Sequence, residues 1–283
     1  MLFILKMKKV FFLCCSLCML STVFSLQSCD EDESDEENLQ VLSSLETLIN
    51  NDKIVPLIAH RGCWSGDSIP QNSLAAFRKA LQLPILGTEF DVHQTLDGKF
   101  VINHDTQFDS LYIYMTSYAE LWDHHLPNGE TIPLLEDFVK EFCSAKVEML
   151  MIVDLKSGKV EDVLDMLKQY DVLSHVLFVS FSKKYCEELV RRGYGPITYY
   201  LGGDMTPEEV GRNGYGGIDY SYTILQEHPE WIEEAKVLGL KVGAWTVNDF
   251  DVIENYLQKE IIVTTDKVEQ CLSREGITKN KNI

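Results

Sequence analysis

The chain is predicted to fold as an α/β protein, a (β/α)8 barrel of the TIM type with a small insertion after its third strand. Three observations predict it: the length, the alternation of strand-length apolar runs with helix-length amphipathic stretches, and the polar residues that recur where those runs end. Of 283 residues, about 250 remain once an N-terminal export segment is set aside, which is the size of one such barrel. With 45% apolar and 24% charged residues, the composition supports a sizeable core.

The candidate strands are 54–59, 86–91, 100–104, 149–155, 176–181, 197–201, 216–220, 240–247 and 261–265. Between them lie candidate helices at 72–83, 134–144, 160–170, 183–192, 207–213, 231–238 and 249–258. Strands spaced by helices argue for parallel βα units. The strands number one more than the eight that close a barrel, and 216–220 is the expected accessory. Between Asp91 and Phe100 there is no room for a helix, so 94–99 must return the chain in extended form with Asp97-Gly98 as its turn. Residues 106–132, rich in Tyr and without a clear period, read as an excursion above the barrel.

Lys6, Lys8 and Lys9 precede the apolar run 10–26, the layout of a secretory signal. The run is at the short end of the spanning range of roughly 17 to 25 residues, and no positive stop-transfer charges follow it, so export with cleavage is expected. Leu26-Gln27-Ser28-Cys29 resembles a bacterial lipobox, whose cysteine is lipidated and becomes the mature N-terminus; Gln27 departs from the usual small residue. Residues 30–37 are acidic except for Ser34, which makes a self-repelling, solvated tether. This tract resembles those that follow the lipidated cysteine in surface-exposed lipoproteins of Bacteroidetes. Leu42, Leu45 and Ile49 then recur at helical spacing and predict a short lead-in helix that closes the bottom of the domain.

The expected organisation is a signal peptide at 1–28, lipidated Cys29 with tether and lead-in helix to 53, a barrel at 54–275, and a flexible tail at 276–283. The protein is expected to be exported and anchored in the bacterial outer membrane only through the lipid on Cys29. The three lysines of the signal leave 22 of the 25 basic residues against all 44 acidic ones, a net charge of −22. That balance argues against nucleic acid and against tight docking on anionic lipid head groups. A small soluble substrate fits better. Cys63, Cys143, Cys186 and Cys271, widely spaced and without a Cys-x-x-Cys pair, read as buried small hydrophobes.

Four strand ends carry candidate chemistry. The first delivers His60-Arg61-Gly62, where a lone histidine is more often structural than catalytic. In the second, alternation sends Glu89 and Asp91 to one face and Phe90 to the other. Two carboxylates in a barrel mouth repel unless a cation sits between them. The third ends in His104-Asp105, and the fourth, an apolar run that should be buried on both sides, delivers Asp154 and Lys156 to one face. Three inward carboxylates and a lysine make a site for one hard divalent cation, Mg2+ or Ca2+. Zinc would call for more nitrogen or sulfur.

His60-Arg61-Gly62, Pro70-Gln71-Asn72-Ser73, Glu89-x-Asp91, Thr95-x-Asp97-Gly98, His104-Asp105, Ile132-Pro133-x-Leu135-Glu136, Asp154-x-Lys156, Trp245-Thr246-Val247-Asn248 and Thr265-Asp266 fall in the order seen in the glycerophosphodiester phosphodiesterase family. The resemblance spans roughly residues 55–267. It implies a phosphatidylinositol-phospholipase-C-like barrel that cleaves glycerophosphodiesters to an alcohol and sn-glycerol 3-phosphate. It also implies His60 and His104 as an acid/base pair, Glu89, Asp91 and Asp154 around the metal, Arg61 and Lys156 on the phosphate, and Trp245 as a pocket wall. The family usually has Glu at the positions of Gln71 and Asp154. Asp154, one methylene shorter, would reach the ion through water or favour a different ion, and an aspartate there also resembles the related sphingomyelinase D branch. A lipid-level phosphodiesterase and a noncatalytic ligand-binding lipoprotein stand as alternatives.

Trp64, Phe181, Tyr199 and Tyr220 are candidates either for head-group contact or for packing, and His93, His124, His125, His175 and His228 read as surface or structural histidines.

Overall fold

The computed structural model describes residues 29–274 and Ile277; the expected signal peptide and nearly all of the expected tail lie outside the described residues. The predicted runs form β1 (Val55–Ala59), β2 (Ile85–Gln94) and β3 (Phe100–Ile102). The two-residue strands β4 (Gln107–Phe108) and β5 (Leu111–Tyr112) follow. Then come β6 (Leu150–Leu155), β7 (Val176–Ser180), β8 (Thr198–Tyr200), β9 (Gly217–Ser221), β10 (Lys241–Trp245) and β11 (Ile262–Thr265). Among the described residues the main sheet runs β1-β11-β10-β9-β8-β7-β6-β2-β3, and a further pairing of β1 with β2 closes it. Every pairing round the closed ring is parallel, whereas β3 lies outside it, antiparallel to β2. The architecture is the (β/α)8 barrel that the sequence predicts.

The accessory strand is β3, not 216–220. β9 is a full stave, in register with β10 from Gly217–Lys241 to Ser221–Trp245. The turn after β2 is too short for a crossover helix, so the chain can only double back, and antiparallel pairing follows.

The helices are α1 (Cys29–Ile49), α2 (Leu74–Ala80), α3 (Tyr118–Leu121), α4 (Leu135–Ala145), α5 (Val160–Gln169) and α6 (Lys183–Arg191). They continue with α7 (Pro207–Arg212), α8 (Tyr222–Glu227), α9 (Glu230–Val237), α10 (Phe250–Gln258) and α11 (Val268–Leu272). Short polar caps start them where the strands end. Ser73 caps α2, Ser182 caps α6, Asp249 caps α10, and Thr206 with Glu209 forms a reciprocal capping box on α7. The longer barrel helices bury an apolar stripe, as α5 does with Val160, Val163, Leu164 and Leu167. α1 is longer than the lead-in helix expected, since it begins at Cys29 and takes in the acidic tract. Its Val41, Leu45 and Leu48 are buried, and it lies against the turns at 173–175 and 195–197, where β7 and β8 begin.

Phe90 shows how the pattern aims the site. Its ring packs edge-on against Phe77 of α2 and Phe138 of α4, with centroids 5.8 and 5.1 Å away. That outward anchor turns Glu89 and Asp91, one residue to either side, into the barrel. The excursion 106–132 has a small core of its own, formed by Phe108, Ile113, Leu121 and Ile132 with Val101 of β3. Of the four cysteines in the barrel, Cys63, Cys186 and Cys271 are buried and Cys143 is exposed.

Candidate active site

β2 and β6 are neighbours, and Asp91 pairs directly with Asp154 in their register. Glu89, two residues back on β2, shares their face. One carboxylate oxygen from each of Glu89, Asp91 and Asp154 lies within 4.8 Å of the others, and all three residues are buried. Burial, together with the charges of Asp91 and Asp154, pushes the Glu89 carboxyl well above the usual range. Asp154 is pushed up to about 7, chiefly by burial and against the pull of Lys156. Its Oδ1 has no hydrogen-bond partner. Three converging carboxylates, of which Glu89 and Asp154 resist ionisation and Asp154 has an unpaired oxygen, fit a hard cation.

Cationic groups border the triad. Lys156, on the loop after β6, has its ammonium 3.0 Å from Asp91 Oδ1 and also donates to Asp154 Oδ2. Arg61 follows β1 in the left-handed region (φ 55°), and its backbone N–H donates to Glu89 Oε2 at 2.9 Å. Its guanidinium lies 3.4 Å from Asp91 Oδ2 and donates to Gln71 Oε1 at 2.5 Å. Gly62 makes this turn possible: φ is +81°, and a Cβ would sit 2.8 Å from the Ala76 backbone. Asn72 closes the loop, its Nδ2 donating to Asp91 Oδ2 at 2.7 Å.

His60 bonds through Nδ1 to Asp266 Oδ1 at 2.7 Å. An ionised carboxylate only accepts, so Nδ1 carries the proton and Nε2 is left for chemistry. Asp266 also accepts from Trp64 Nε1 at 3.2 Å and from Asn248 Nδ2 at 2.7 Å. Burial alone would raise the Asp266 carboxyl, but these hydrogen bonds, that from His60 foremost, hold it below the usual range.

His104 reaches the same level by the doubled-back strand. The Asn103 backbone N–H donates to Asp91 O at 3.0 Å, which ties the strand end that carries His104 to β2 at Asp91. The His104 ring is 43% exposed, with Nδ1 2.8 Å from Asp105 Oδ1. Beneath it, buried His93 donates from Nε2 to His104 O (3.3 Å), and its Nδ1 meets the Ser157 hydroxyl (2.9 Å). Burial holds the His93 imidazole below its usual pKa.

The model of the glycerophosphoryl diester phosphodiesterase family matches residues 60–269. The chain belongs to that family. A glycerophosphodiester phosphodiesterase of Caldanaerobacter subterraneus subsp. tengcongensis is 27% identical over 241 residues, covering 74% of this chain and 93% of that one. The crystal structure of a glycerophosphodiester phosphodiesterase from Parabacteroides distasonis is 32% identical with a TM-score of 0.73, covering 82% of this chain and 98% of the other. An Oleispira antarctica phosphodiesterase solved in complex with the product sn-glycerol-3-phosphate shares the fold at 23% identity and a TM-score of 0.63, over 77% of this chain and 96% of that one.

As a member of the glycerophosphoryl diester phosphodiesterase family, the chain is a phosphoric diester hydrolase. Glu89, Asp91, Asp154, Arg61 and Lys156 form one connected cluster, flanked by the loops that carry His60 and His104. Trp245 ends β10 with its ring edge-on to Phe181 at 5.4 Å, and the Lys156 ammonium lies 5.2 Å from the centre of the Phe181 ring. Phe181 and Trp64 thus border the site, whereas Tyr199 and Tyr220 are buried. Sequence reasoning missed Asp266, Asn248 and Asn72 as site residues, although each stood inside a quoted motif. It missed Asp219 altogether, a buried carboxylate on β9 pushed up to about 7 by burial and by the charge of Asp154.

Proposed function

We propose that this chain hydrolyses glycerophosphodiesters to an alcohol and sn-glycerol 3-phosphate, with one divalent cation, Mg2+ or Ca2+, on Glu89, Asp91 and Asp154. The observation that carries the reading is the buried acidic triad with Lys156, Arg61 and the Asp266-held His60 around it. The product found in the Oleispira antarctica enzyme supports the choice of substrate.

A phosphodiester already bears negative charge, and attack at phosphorus adds more to its oxygens. A bound divalent ion supplies positive charge to those oxygens at the moment it is needed. Arg61 and Lys156 add charge-assisted hydrogen bonds to the phosphate in a half-buried site. His60 Nε2, free because Nδ1 is committed to Asp266, moves one proton, and His104 moves the other, each worth roughly 100- to 10,000-fold. Trp245 and Phe181 wall the substrate. At the other end of the chain, the lipobox-like segment supports export and lipidation at Cys29, which would tether the enzyme to the outer membrane.

The test is to incubate purified protein, truncated before residue 30, with glycerophosphocholine, glycerophosphoethanolamine and lysophosphatidylcholine in Mg2+ or Ca2+. Free glycerol phosphate from the water-soluble diesters is expected. Product from the lyso-lipid alone would move the substrate to the lipid level, and no product from any of them would end the reading.

A further inference from the structure

The barrel interior holds a polar pair that the proposed reaction does not use. Asp219 on β9 is buried, and its Oδ1 has no hydrogen-bond partner. Tyr199 on the adjacent β8 is also buried, and its hydroxyl has none. Both side chains point inward, because their neighbours Tyr220 and Tyr200 point outward, Tyr220 onto Trp231 of α9 and Tyr200 onto Tyr215 and Tyr220.

Two glycines make room for the pair. A Cβ on Gly243 of β10 would sit 2.6 Å from Asp219 Oδ1, and one on Gly217 of β9 would sit 3.0 Å from the Tyr199 ring. An ordinary side chain at either place would fill the space these groups occupy. β9 and β6 are separated by β7 and β8 in the ring, so Asp219 looks across the interior toward Asp154. The charge of Asp154 acts on Asp219, and that of Asp219 on the Tyr199 hydroxyl. Asp154 in turn has one oxygen on Lys156 and the other unpaired.

A buried hydroxyl, which must donate, and buried carboxylate oxygens, which must accept, are costly when left dry. Protein interiors satisfy such groups with an ordered water that has two to four polar partners.

We propose that Tyr199 and Asp219 enclose one ordered water inside the barrel and through it act as a positioning pair for Asp154. The water continues the hydrogen bonding from the far side of the barrel, so the Asp154 carboxylate is held from two directions, by Lys156 and by this pair. Asp219 has a second hold on the site, since its carbonyl accepts from Trp245 Nε1 at 2.8 Å and seats the pocket wall. The inference rests on the reading that the triad binds a divalent ion.

The test is calorimetric titration of Mg2+ and Ca2+ into chelator-stripped wild type, Tyr199→Phe and Asp219→Asn, with a high-resolution crystal structure of the wild type. Supporting residues behind a metal ligand typically change ion affinity 10- to 100-fold. Ion binding is therefore expected to weaken at least about 10-fold in both variants, and density for a water is expected within hydrogen-bonding distance of Tyr199 and Asp219. Tyr199→Phe removes a single oxygen, so it carries the test alone should Asp219→Asn fail to fold. Wild-type affinity in Tyr199→Phe, or a dry space between the two residues, overturns the inference and leaves the proposed function standing. A wild type that binds neither ion defeats the proposed function, and the positioning role with it.

Discussion

Asp154→Asn should stabilise the ion-free protein above neutral pH and abolish its response to divalent cations. Burial, opposed by Lys156 and reinforced by Asp91, raises the Asp154 carboxyl from 3.8 to about 7 in the folded chain. A group whose folded pKa is raised contributes stability that is complete below its unfolded pKa and is lost as the pH climbs through the folded one. From 3.8 to about 7, that loss comes to about 4 kcal/mol. Asparagine imitates the protonated acid and never ionises, so at pH 8 the variant should escape up to that amount. For a domain of this size each kcal/mol moves the thermal midpoint by roughly 2–4 °C. The assay is thermal unfolding in chelator at pH 5 and pH 8, repeated with millimolar Mg2+ or Ca2+. At pH 5, where over a third of that loss has already accrued, the variant should melt higher by roughly 3–7 °C; at pH 8 without ion the gap should widen, to as much as roughly 8–16 °C. Added ion should raise the wild type and leave the variant unmoved. A variant that melts below the wild type at pH 8 in chelator would refute the claim that the triad is electrostatically strained without its ion.

Substituting His60 or His104 by Ala should lower kcat/KM by roughly 100- to 10,000-fold without changing the circular dichroism spectrum. Asp266→Asn should lower kcat more than it raises KM, because it frees the His60 ring rather than removing a substrate contact; steady-state kinetics with glycerophosphocholine separates the two. The Asp266 carboxyl lies below the usual range in the folded chain. Its contribution to stability should therefore be intact at pH 5 and fade only in acid below about pH 4, where the Asp266→Asn and wild-type melting curves should converge. Gly62→Ala forces a Cβ to 2.8 Å from the Ala76 backbone at a positive φ. It should cost at least about 1 kcal/mol in denaturant unfolding and weaken substrate binding by displacing Arg61.

The staves of the barrel and its triad were legible because alternation is a strict code. Phe90 between Glu89 and Asp91, and the apolar run before Asp154, allow one inward assignment each. The order of the strands was harder to read. β3 looked as good a strand as any, and only its tight return from β2 reveals that it lies outside the ring, whereas glycine-led β9 is a stave whose small residues make room inside. Pairings made across the fold left no local trace. Asp266 meets His60 from 206 residues away, so nothing near either residue advertises the pair. Asn72 reaches Asp91 only because the Arg61 turn folds it back. Asp219 was hidden by its apolar setting, between Ile218 and Tyr220 on a strand that reads as core. α1 continued through the acidic tract that repulsion marked as a tether.

The central claim, that one divalent ion on Glu89, Asp91 and Asp154 enables glycerophosphodiester hydrolysis, is tested most directly by titrating the stripped enzyme with Mg2+ or Ca2+ while following sn-glycerol 3-phosphate released from glycerophosphocholine. No product is expected in chelator, then a rise to a plateau at one bound ion per chain, and no recovery at any concentration in Asp91→Asn. Undiminished turnover in chelator, or full recovery of Asp91→Asn, would contradict that claim.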